Sequence, residues 1–155
     1  MVWIDCEMTG LDPDTDKIME IAVRNLVRYV LGTKNSDDIV MQVLITNGDL
    51  QLVDDGIEYV VRVDKRDLDG MGEWCTKQHG ETGLTKACLS SPHTKDYVSK
   101  AVLNYIKKWI PQERTGVLAG SSVHMDRLFL RKEMPEIIDW LHYRYHHSDH
   151  SAFPF

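Results

Sequence analysis

The sequence predicts an α/β or α+β domain built around a mixed sheet. Short apolar runs separated by turn residues fill the first 63 residues, and apolar residues recur at helical spacing after Asp64. A late apolar run at residues 117–120, followed by another helical pattern, then adds a further strand and helix. A sheet and helices arranged in this order pack as layers around one core. The 155 residues fit one domain, since domains usually hold about 100–200 residues.

The first half predicts strands joined by turns. Residues 2–4 form a strand that stops at Asp5-Cys6-Glu7, and residues 18–23 form a strand or the start of a helix, because period does not decide runs this short. A meander of strands follows, with turns at Asn47-Gly48-Asp49 and Asp54-Asp55-Gly56. Its strands are residues 39–46, 50–53 and 57–63.

The second half predicts helices. One lies within residues 68–79, a short one covers 83–89, and Ser91-Pro92 caps a third that Pro111 ends. The last covers residues 123–134, with Leu128 and Phe129 on its inner face. Residues 145–155 show no regular period and are expected to fray.

Composition excludes several classes of protein. Hydrophobic residues are 43% and charged residues 27%, which is ordinary for a globular chain and not for a disordered one. No apolar run reaches the roughly 18 residues of a membrane span. The net charge of −6 argues against a broad grip on long nucleic acid, but leaves room for a local site where metal ions neutralise phosphates.

The three cysteines form no CxxC pair, so we expect reduced thiols and no structural zinc site. The N-terminal residues lack a signal-peptide pattern. The expected location is intracellular, either cytoplasmic or mitochondrial.

Two segments could carry metal chemistry. Asp5 and Glu7 lie two apart at a strand end and so share a face, where adjacent carboxylates favour a hard cation such as Mg²⁺ between them. Asp126 lies in the first turn of a helix that follows a buried strand, and Ser122 lies near that helix start, which favours phosphate. The alternatives are a solvated strand end and a carboxylate that only complements the helix dipole.

Four blocks resemble the oligoribonucleases, a family of DEDD-type 3′→5′ exonucleases with a ribonuclease-H-like sheet flanked by helices. They are WIDCEMTGL at residues 3–11, WC with HG and GLT within 74–85, LAGSSVHMDRLFL at 118–130 and LHYR at 141–144. The blocks occur in the family's order. The resemblance assigns residues 1–144 to an exonuclease domain.

The resemblance implies a role for each matching position. Asp5, Glu7 and Asp126 would be the catalytic carboxylates and would bind two divalent ions, Mg²⁺ or Mn²⁺. Leu11 would wedge against the terminal bases and Trp74 would stack a base, a contact that tolerates any sequence.

Four further positions would recognise the end of a short RNA. Ser122, His79 and Arg144 would lie near its 5′ phosphate, and Tyr143 would complete the site of a neighbouring subunit in a homodimer. Short oligoribonucleotides as substrates also remove the conflict with the net charge of −6.

The chain departs from the family at its end. The family's third motif, H-x-x-x-x-D, supplies the general base and a fourth carboxylate, and it occurs nowhere in these 155 residues. The C-terminal part of the fold would therefore be missing, and residues 145–155 are a tail unlike the family. Either His146, His147 or Asp149 substitutes for the motif, or the tail is loose and polar.

A second departure is an insertion at about residues 24–42, which splits what the family has as one strand. That strand could be rebuilt with the insertion outside it, or it could be misregistered. A third departure is Ser121, where the family usually has asparagine.

The expected activity is hydrolysis of short oligoribonucleotides to 5′-mononucleotides by two metal ions, impaired in this chain. The alternative is an inactive remnant that binds short RNA or dimerises.

Overall fold

The computed structural model describes residues 1–22 and 44–147. Within these ranges seven strands and six helices follow one another along the chain. The strands are β1 (Val2–Trp3), β2 (Asp5–Met8), β3 (Ile18–Ala22), β4 (Leu44–Ile45), β5 (Tyr59–Val60), β6 (Leu118–Gly120) and β7 (Tyr145–His147). The helices are α1 (Lys65–Asp69), α2 (Glu73–Glu81), α3 (Leu84–Ser90), α4 (Lys95–Trp109), α5 (Val123–Glu133) and α6 (Pro135–Trp140).

The strands form a mixed arrangement, which confirms the predicted fold class. One sheet has the order β4-β1-β6-β7, in which β1 and β6 are parallel, β6 and β7 are parallel, and β1 and β4 are antiparallel. The other sheet, β2-β3-β5, is antiparallel throughout.

β1 and β2 behave as one run of extended chain across both sheets. On one side, Val2 N–H and Ile4 N–H donate to carbonyls that flank or belong to β6, at 2.8 and 3.1 Å. On the other side, the carbonyl of Met1 accepts from Thr46 N–H beside β4, and Thr9 N–H donates to the carbonyl of Lys17 just before β3. This alternation means that β3 and β4 lie along the same edge of the run.

The pairing along that edge shows how the split strand is rebuilt. Asp5 pairs with Ala22 in β3, and Trp3 pairs with Leu44 in β4. Only Ile4 lies between Asp5 and Trp3, so a continuous edge needs one residue between Ala22 and Leu44, whereas residues 23–43 number 21. The insertion proposed for residues 24–42 lies outside the described residues, but the strands on either side of it keep one register.

The predicted meander is confirmed at its first turn, where the chain returns antiparallel from Ile45 to Val53, and is wrong for β5. β4 pairs with β1 and β5 pairs with β3, so these two consecutive strands are not hydrogen-bonded neighbours. The tight turn after β4 is confirmed by the bridge between Thr46 and Leu52. Residues 39–43 of the predicted strand lie outside the described residues.

Two predicted helix boundaries also differ. The helix expected within residues 68–79 is two helices, α1 and α2, which Gly70, Met71 and Gly72 separate. Ser91 does not cap α4, since its hydroxyl donates to the carbonyl of Val60 at 2.7 Å. Thr94 is the cap, because its hydroxyl oxygen accepts from the N–H of Tyr97.

The main core lies between the strands and helices α4, α5 and α6. Phe129 in α5 is fully buried, as predicted, whereas Leu128 is 47% exposed and the expectation of an inward Leu128 is wrong. An α-helix completes one turn in 3.6 residues. The buried residues of α5 therefore share one face, and Leu128 lies outside that face. These residues are Val123, Asp126, Phe129 and Leu130.

The expectation that the chain frays from Tyr145 onward is wrong for the first three residues. Residues 145–147 form β7 and pair in parallel with β6, from Leu118 opposite Tyr145 to Gly120 opposite His147. All three are exposed, so backbone pairing defines this edge strand without the apolar alternation that sequence patterns detect. Residues 148–155, with Asp149, lie outside the described residues.

None of the helices in the described ranges combines the length and the apolar character needed to cross a bilayer.

Candidate active site

Asp5 begins strand β2 and Glu7 lies within it, so the strand does not end at Asp5-Cys6-Glu7 as the sequence predicted. β2 pairs with β3 from Asp5 to Met8, so the extended backbone continues past both carboxylates. Cys6 between them is 7% exposed and belongs to the core. Because side chains alternate along a strand, Asp5 and Glu7 extend from the face opposite to Cys6.

A hydrogen bond from the backbone of β2 holds Asp126 near Asp5 and Glu7. Along the edge that faces β6, Val2 and Ile4 donate their N–H groups to successive carbonyls, at residues 117 and 119. The next donor on this edge is Cys6 N–H, and it donates to Oδ1 of Asp126 at 2.8 Å. The carboxylate thus accepts the hydrogen bond that a longer β6 would have accepted, and α5 begins where β6 ends.

The turn from β6 to α5 depends on close backbone approach. A Cβ atom on Gly120 would lie 2.8 Å from the carbonyl oxygen of Ile4. Ser122 follows with a left-handed φ of 51° and stands at the N-cap of α5. This sharp reversal brings Asp126, in the first turn of α5, back onto β2.

Burial and charge both act on Asp126. Asp126 is only 3% exposed. Its burial is the largest cause that raises its pKa to about 7, and the negative charge of Asp5 is the second. The pKa of the Cys6 thiol is raised well above its usual value by burial and by the charges of Asp126 and Asp5. Cys6 is therefore a neutral core residue and not a nucleophile.

The donor set fits a hard divalent cation in its chemistry. Asp5, Glu7 and Asp126 offer carboxylate oxygens, and the negative charge of Asp5 acts on Asp126, a repulsion that a cation between them would relieve. Over residues 1–22 and 44–147, however, no three His, Cys, Asp or Glu side chains are arranged as a ready metal cluster.

A cleft of about 330 Å³ opens beside Glu7. Its walls come from β2, β3 and β5 on one side and from α2 and α3 on the other. The lining residues are Glu7, Glu20, Val60, Trp74, Gln78, His79, Thr82, Gly83, Leu84 and Ala87. The structure thus brings three of the predicted site residues, Glu7, Trp74 and His79, into one concave surface of a size that suits a small ligand.

Glu20 is a site residue that sequence reasoning missed. It lies directly opposite Glu7 in the antiparallel pairing of β2 and β3, and it is only 6% exposed. The available signal was a single charged residue inside the apolar run at residues 18–23. Its closeness to Glu7 depends on register, which the sequence pattern does not supply.

Trp74 and Leu11 are apolar side chains held out to solvent. Trp74 is 71% exposed at the start of α2, and Leu11 is 77% exposed in the loop between β2 and β3. That loop is fixed by the carboxylate of Asp16, which accepts from the hydroxyl of Thr9 and from the N–H of Asp12. Trp74 also lines the cleft, whereas Leu11 is not among the lining residues.

His79 does not lie at an open surface. It is 2% exposed, and its Nε2 atom lies 3.0 Å from the carbonyl oxygen of Met8 at the end of β2. Sequence reasoning did not anticipate this contact.

Ser122, Tyr143 and Arg144 lie away from the cleft lining. Ser122 is exposed, and its side chain makes no capping hydrogen bond. Tyr143 is 62% exposed in the segment before β7, with the Arg144 guanidinium 5.5 Å from its ring centroid. Both contact His142, whose ring centroid is 4.4 Å from that of Tyr143 and whose Nδ1 accepts from the N–H of Arg144 at 3.1 Å.

The sequence of this chain is similar to a known protein family and to several curated proteins. A family model described as "Exonuclease" matches residues 2–150. The chain is 41% identical over 144 residues to a "Probable oligoribonuclease" of Schizosaccharomyces pombe and, likewise at 41%, to the "Oligoribonuclease, mitochondrial" of Saccharomyces cerevisiae. It is 35% identical over 144 residues to the "Oligoribonuclease" of Pseudoalteromonas translucida.

Each of these alignments covers 93% of this chain. The chain spans about half the length of the two fungal relatives, 49% of each, and 68% of the bacterial one. With a matching family model over most of its residues, the chain belongs to the oligoribonuclease family of exonucleases.

Proposed function

We propose that this chain carries a 3′→5′ exoribonuclease site for short oligoribonucleotides. The observation that carries the proposal is the bond from Cys6 N–H to Asp126, which holds a third carboxylate beside Asp5 and Glu7. In the reaction, a water oxygen bonds to the phosphorus of the last phosphodiester and the bond to the 3′ oxygen of the preceding nucleotide breaks. The products are a 5′-mononucleotide and a shortened RNA.

Asp5, Glu7 and Asp126 would hold two divalent ions, Mg²⁺ or Mn²⁺. When bound, such ions stabilise the charge on the attacking and leaving oxygens of an in-line displacement. The protein holds the three carboxylates in place, because the hydrogen bond from Cys6 N–H to Asp126 attaches α5 to β2. Since the pKa of Asp126 is about 7, its proton and the cation compete for the same oxygens near neutral pH.

Trp74 and Leu11 would bind bases of the substrate. Both are exposed, and Trp74 also lines the cleft that contains Glu7. Stacking on aromatic rings accepts any base, so this arrangement would cleave without sequence preference. Ser122 and Arg144 would contact the 5′ phosphate, which limits the site to short RNA. Tyr143 would act across a homodimer interface, and its exposure is consistent with that role.

We propose reduced turnover for these 155 residues because they contain no H-x-x-x-x-D motif. Loss of a positioned general base typically costs about 10²–10⁴-fold in rate. The exonuclease domain would comprise residues 1–144, with residues 24–42 as an insertion and 145–155 as a tail. The compartment would be the cytoplasm or, as the name of the Saccharomyces cerevisiae relative suggests, the mitochondrion.

The same missing motif favours a second candidate, a chain that binds short RNA or dimerises without cleaving. A dinucleotide incubated with Mn²⁺ separates the two. Release of mononucleotide that Asp5→Ala abolishes supports the exonuclease. Binding without release supports the second candidate, and neither binding nor release would contradict both.

A further inference from the structure

We infer that His79 is a positioning residue that holds the Trp74 helix against the carboxylate strand, and that it does not bind substrate phosphate. The inference rests on the proposed function, because it concerns how a base on Trp74 is aligned with the carboxylates. It departs from the role that family resemblance implies for His79.

Burial is the first support. His79 is 2% exposed, whereas Trp74 in the same helix is 71% exposed. A side chain that binds a phosphate of an incoming RNA must present a donor to solvent before the RNA arrives. His79 is among the residues that line the cleft with Glu7 and Trp74, but almost none of its surface is open to solvent.

The hydrogen bond is the second support. Nε2 of His79 lies 3.0 Å from the carbonyl oxygen of Met8. A carbonyl oxygen accepts only, so Nε2 carries a proton and donates it to Met8. Nε2 is thereby already engaged with the protein, and in the neutral ring the other nitrogen, Nδ1, has no proton to donate to a phosphate.

The place of the contact on β2 gives it a consequence. Met8 follows Glu7 directly, and the pairing with β3 shifts register between these two residues. His79 therefore binds the strand one residue beyond a proposed catalytic carboxylate, at the point where regular pairing with β3 is interrupted.

His79 and Trp74 lie near opposite ends of α2. The helix runs from Glu73 to Glu81, with Trp74 in its first turn and His79 in its last. Five residues of helix span about 7.5 Å. One end of this short helix thus carries the exposed ring, and the other end is bonded to the carboxylate strand. Release of the bonded end would change the separation between Trp74 and Glu7.

The test compares His79→Ala with His79→Gln, whose side-chain amide retains an N–H donor. His93→Ala serves as the matched control, since His93 stacks on Tyr97 and is not among the cleft-lining residues. Two probes are used, ApA and its 5′-phosphorylated form pApA, each with Mg²⁺. Binding is followed by quenching of tryptophan fluorescence, and amide hydrogen exchange in α2 reports the state of the helix.

The expected result is that His79→Ala weakens binding of both probes equally, by about tenfold, which corresponds to one lost hydrogen bond. His79→Gln should stay within about threefold of wild type, and exchange in α2 should be faster only in the alanine variant. A loss confined to pApA would overturn the inference in favour of a phosphate ligand. Equal binding by the alanine variant and wild type would overturn it as well. If the wild type binds neither probe, the proposed function fails. Faster exchange in the alanine variant would then show that the His79–Met8 hydrogen bond stabilises α2 without aligning a substrate.

Discussion

Oδ1 of Asp126 accepts a hydrogen bond from the backbone N–H of Cys6 at 2.8 Å, so the first turn of α5 is attached to the middle of β2. Their positions are 120 residues apart in the chain. The bond places a buried carboxylate beside Asp5, whose negative charge contributes to the raised pKa of Asp126. A site that gathers carboxylates in this way should respond to pH, to metal and to small changes in backbone approach.

The metal-free protein should lose stability as pH rises. The pKa of Asp126 is about 7 in the folded chain against an ordinary value of 3.8, so the folded state binds more protons between these values. The contribution of Asp126 to the free energy of unfolding is complete below pH 3.8 and is lost as the pH rises to about 7. The loss is up to about 1.4 kcal/mol per pH unit. Urea unfolding in EDTA at pH 4.5, 6 and 7.5 measures this. Asp126→Asn should remove that part of the slope, and an identical slope in both proteins would contradict the prediction.

Gly120→Ala should destabilise the fold and the site together. The added Cβ would lie 2.8 Å from the carbonyl oxygen of Ile4, a contact with backbone that cannot rotate away. Overpacking of this kind typically costs about 1–3 kcal/mol. The matched control is Gly72→Ala, which meets no atom within 4 Å. Thermal melts of the two variants should differ, and equal melting temperatures would show that β6 and Ile4 can separate at no cost.

Trp74→Ala should weaken RNA binding with little effect on folding. The ring is 71% exposed, so its removal costs little burial, while loss of one base stack costs about 1–3 kcal/mol. Trp109→Ala is the comparison, because Trp109 is 37% exposed and its indole N–H donates to Asp54 at 3.0 Å. That variant should lower stability and leave dinucleotide affinity unchanged. The reverse pattern would place base recognition elsewhere.

Deletion of residues 24–43 should leave the domain folded. It joins Val23 to Leu44 and so provides the single residue that the pairing on either side of Ile4 requires. A cooperative melt, and dinucleotide binding equal to that of the full chain, are expected. A deletion that keeps one residue fewer, 23–43, is the control, because it would shift β4 by one position and turn its side chains to the opposite face. Equal stability of the two deletions would mean that the register across the junction is not specified.

The sequence predicts candidate site residues better than it predicts how they meet. Asp5, Glu7 and Asp126 are selected by the resemblance of their segments to the oligoribonuclease motifs, since a strand end or a helix start alone leaves the non-catalytic alternatives open. Their relation through Cys6 could not, since it depends on where β6 ends relative to β2. Glu20 was missed for the same reason, because only register places it opposite Glu7.

Edge strands were the weakest part of the prediction. Residues 145–147 were expected to fray, and they pair with β6 although all three are exposed. β5 is predicted to continue a meander from β4, yet its partner is β3, with Val60 opposite Glu20 far earlier in the chain. In both cases the partner is chosen by backbone hydrogen bonds over long sequence separations, which local patterns do not record.

The most direct test of the account is the release of AMP from pApA in Mn²⁺, compared between the wild-type chain and Asp126→Asn. Asparagine retains an oxygen that can accept from Cys6 N–H, so the fold should be kept while the charge is lost. We expect slow AMP release from the wild type and a rate at least about 100-fold lower from the variant, comparable to loss of a key electrostatic group. Equal rates in the two proteins would contradict the assignment of Asp5, Glu7 and Asp126 as the metal-binding catalytic site.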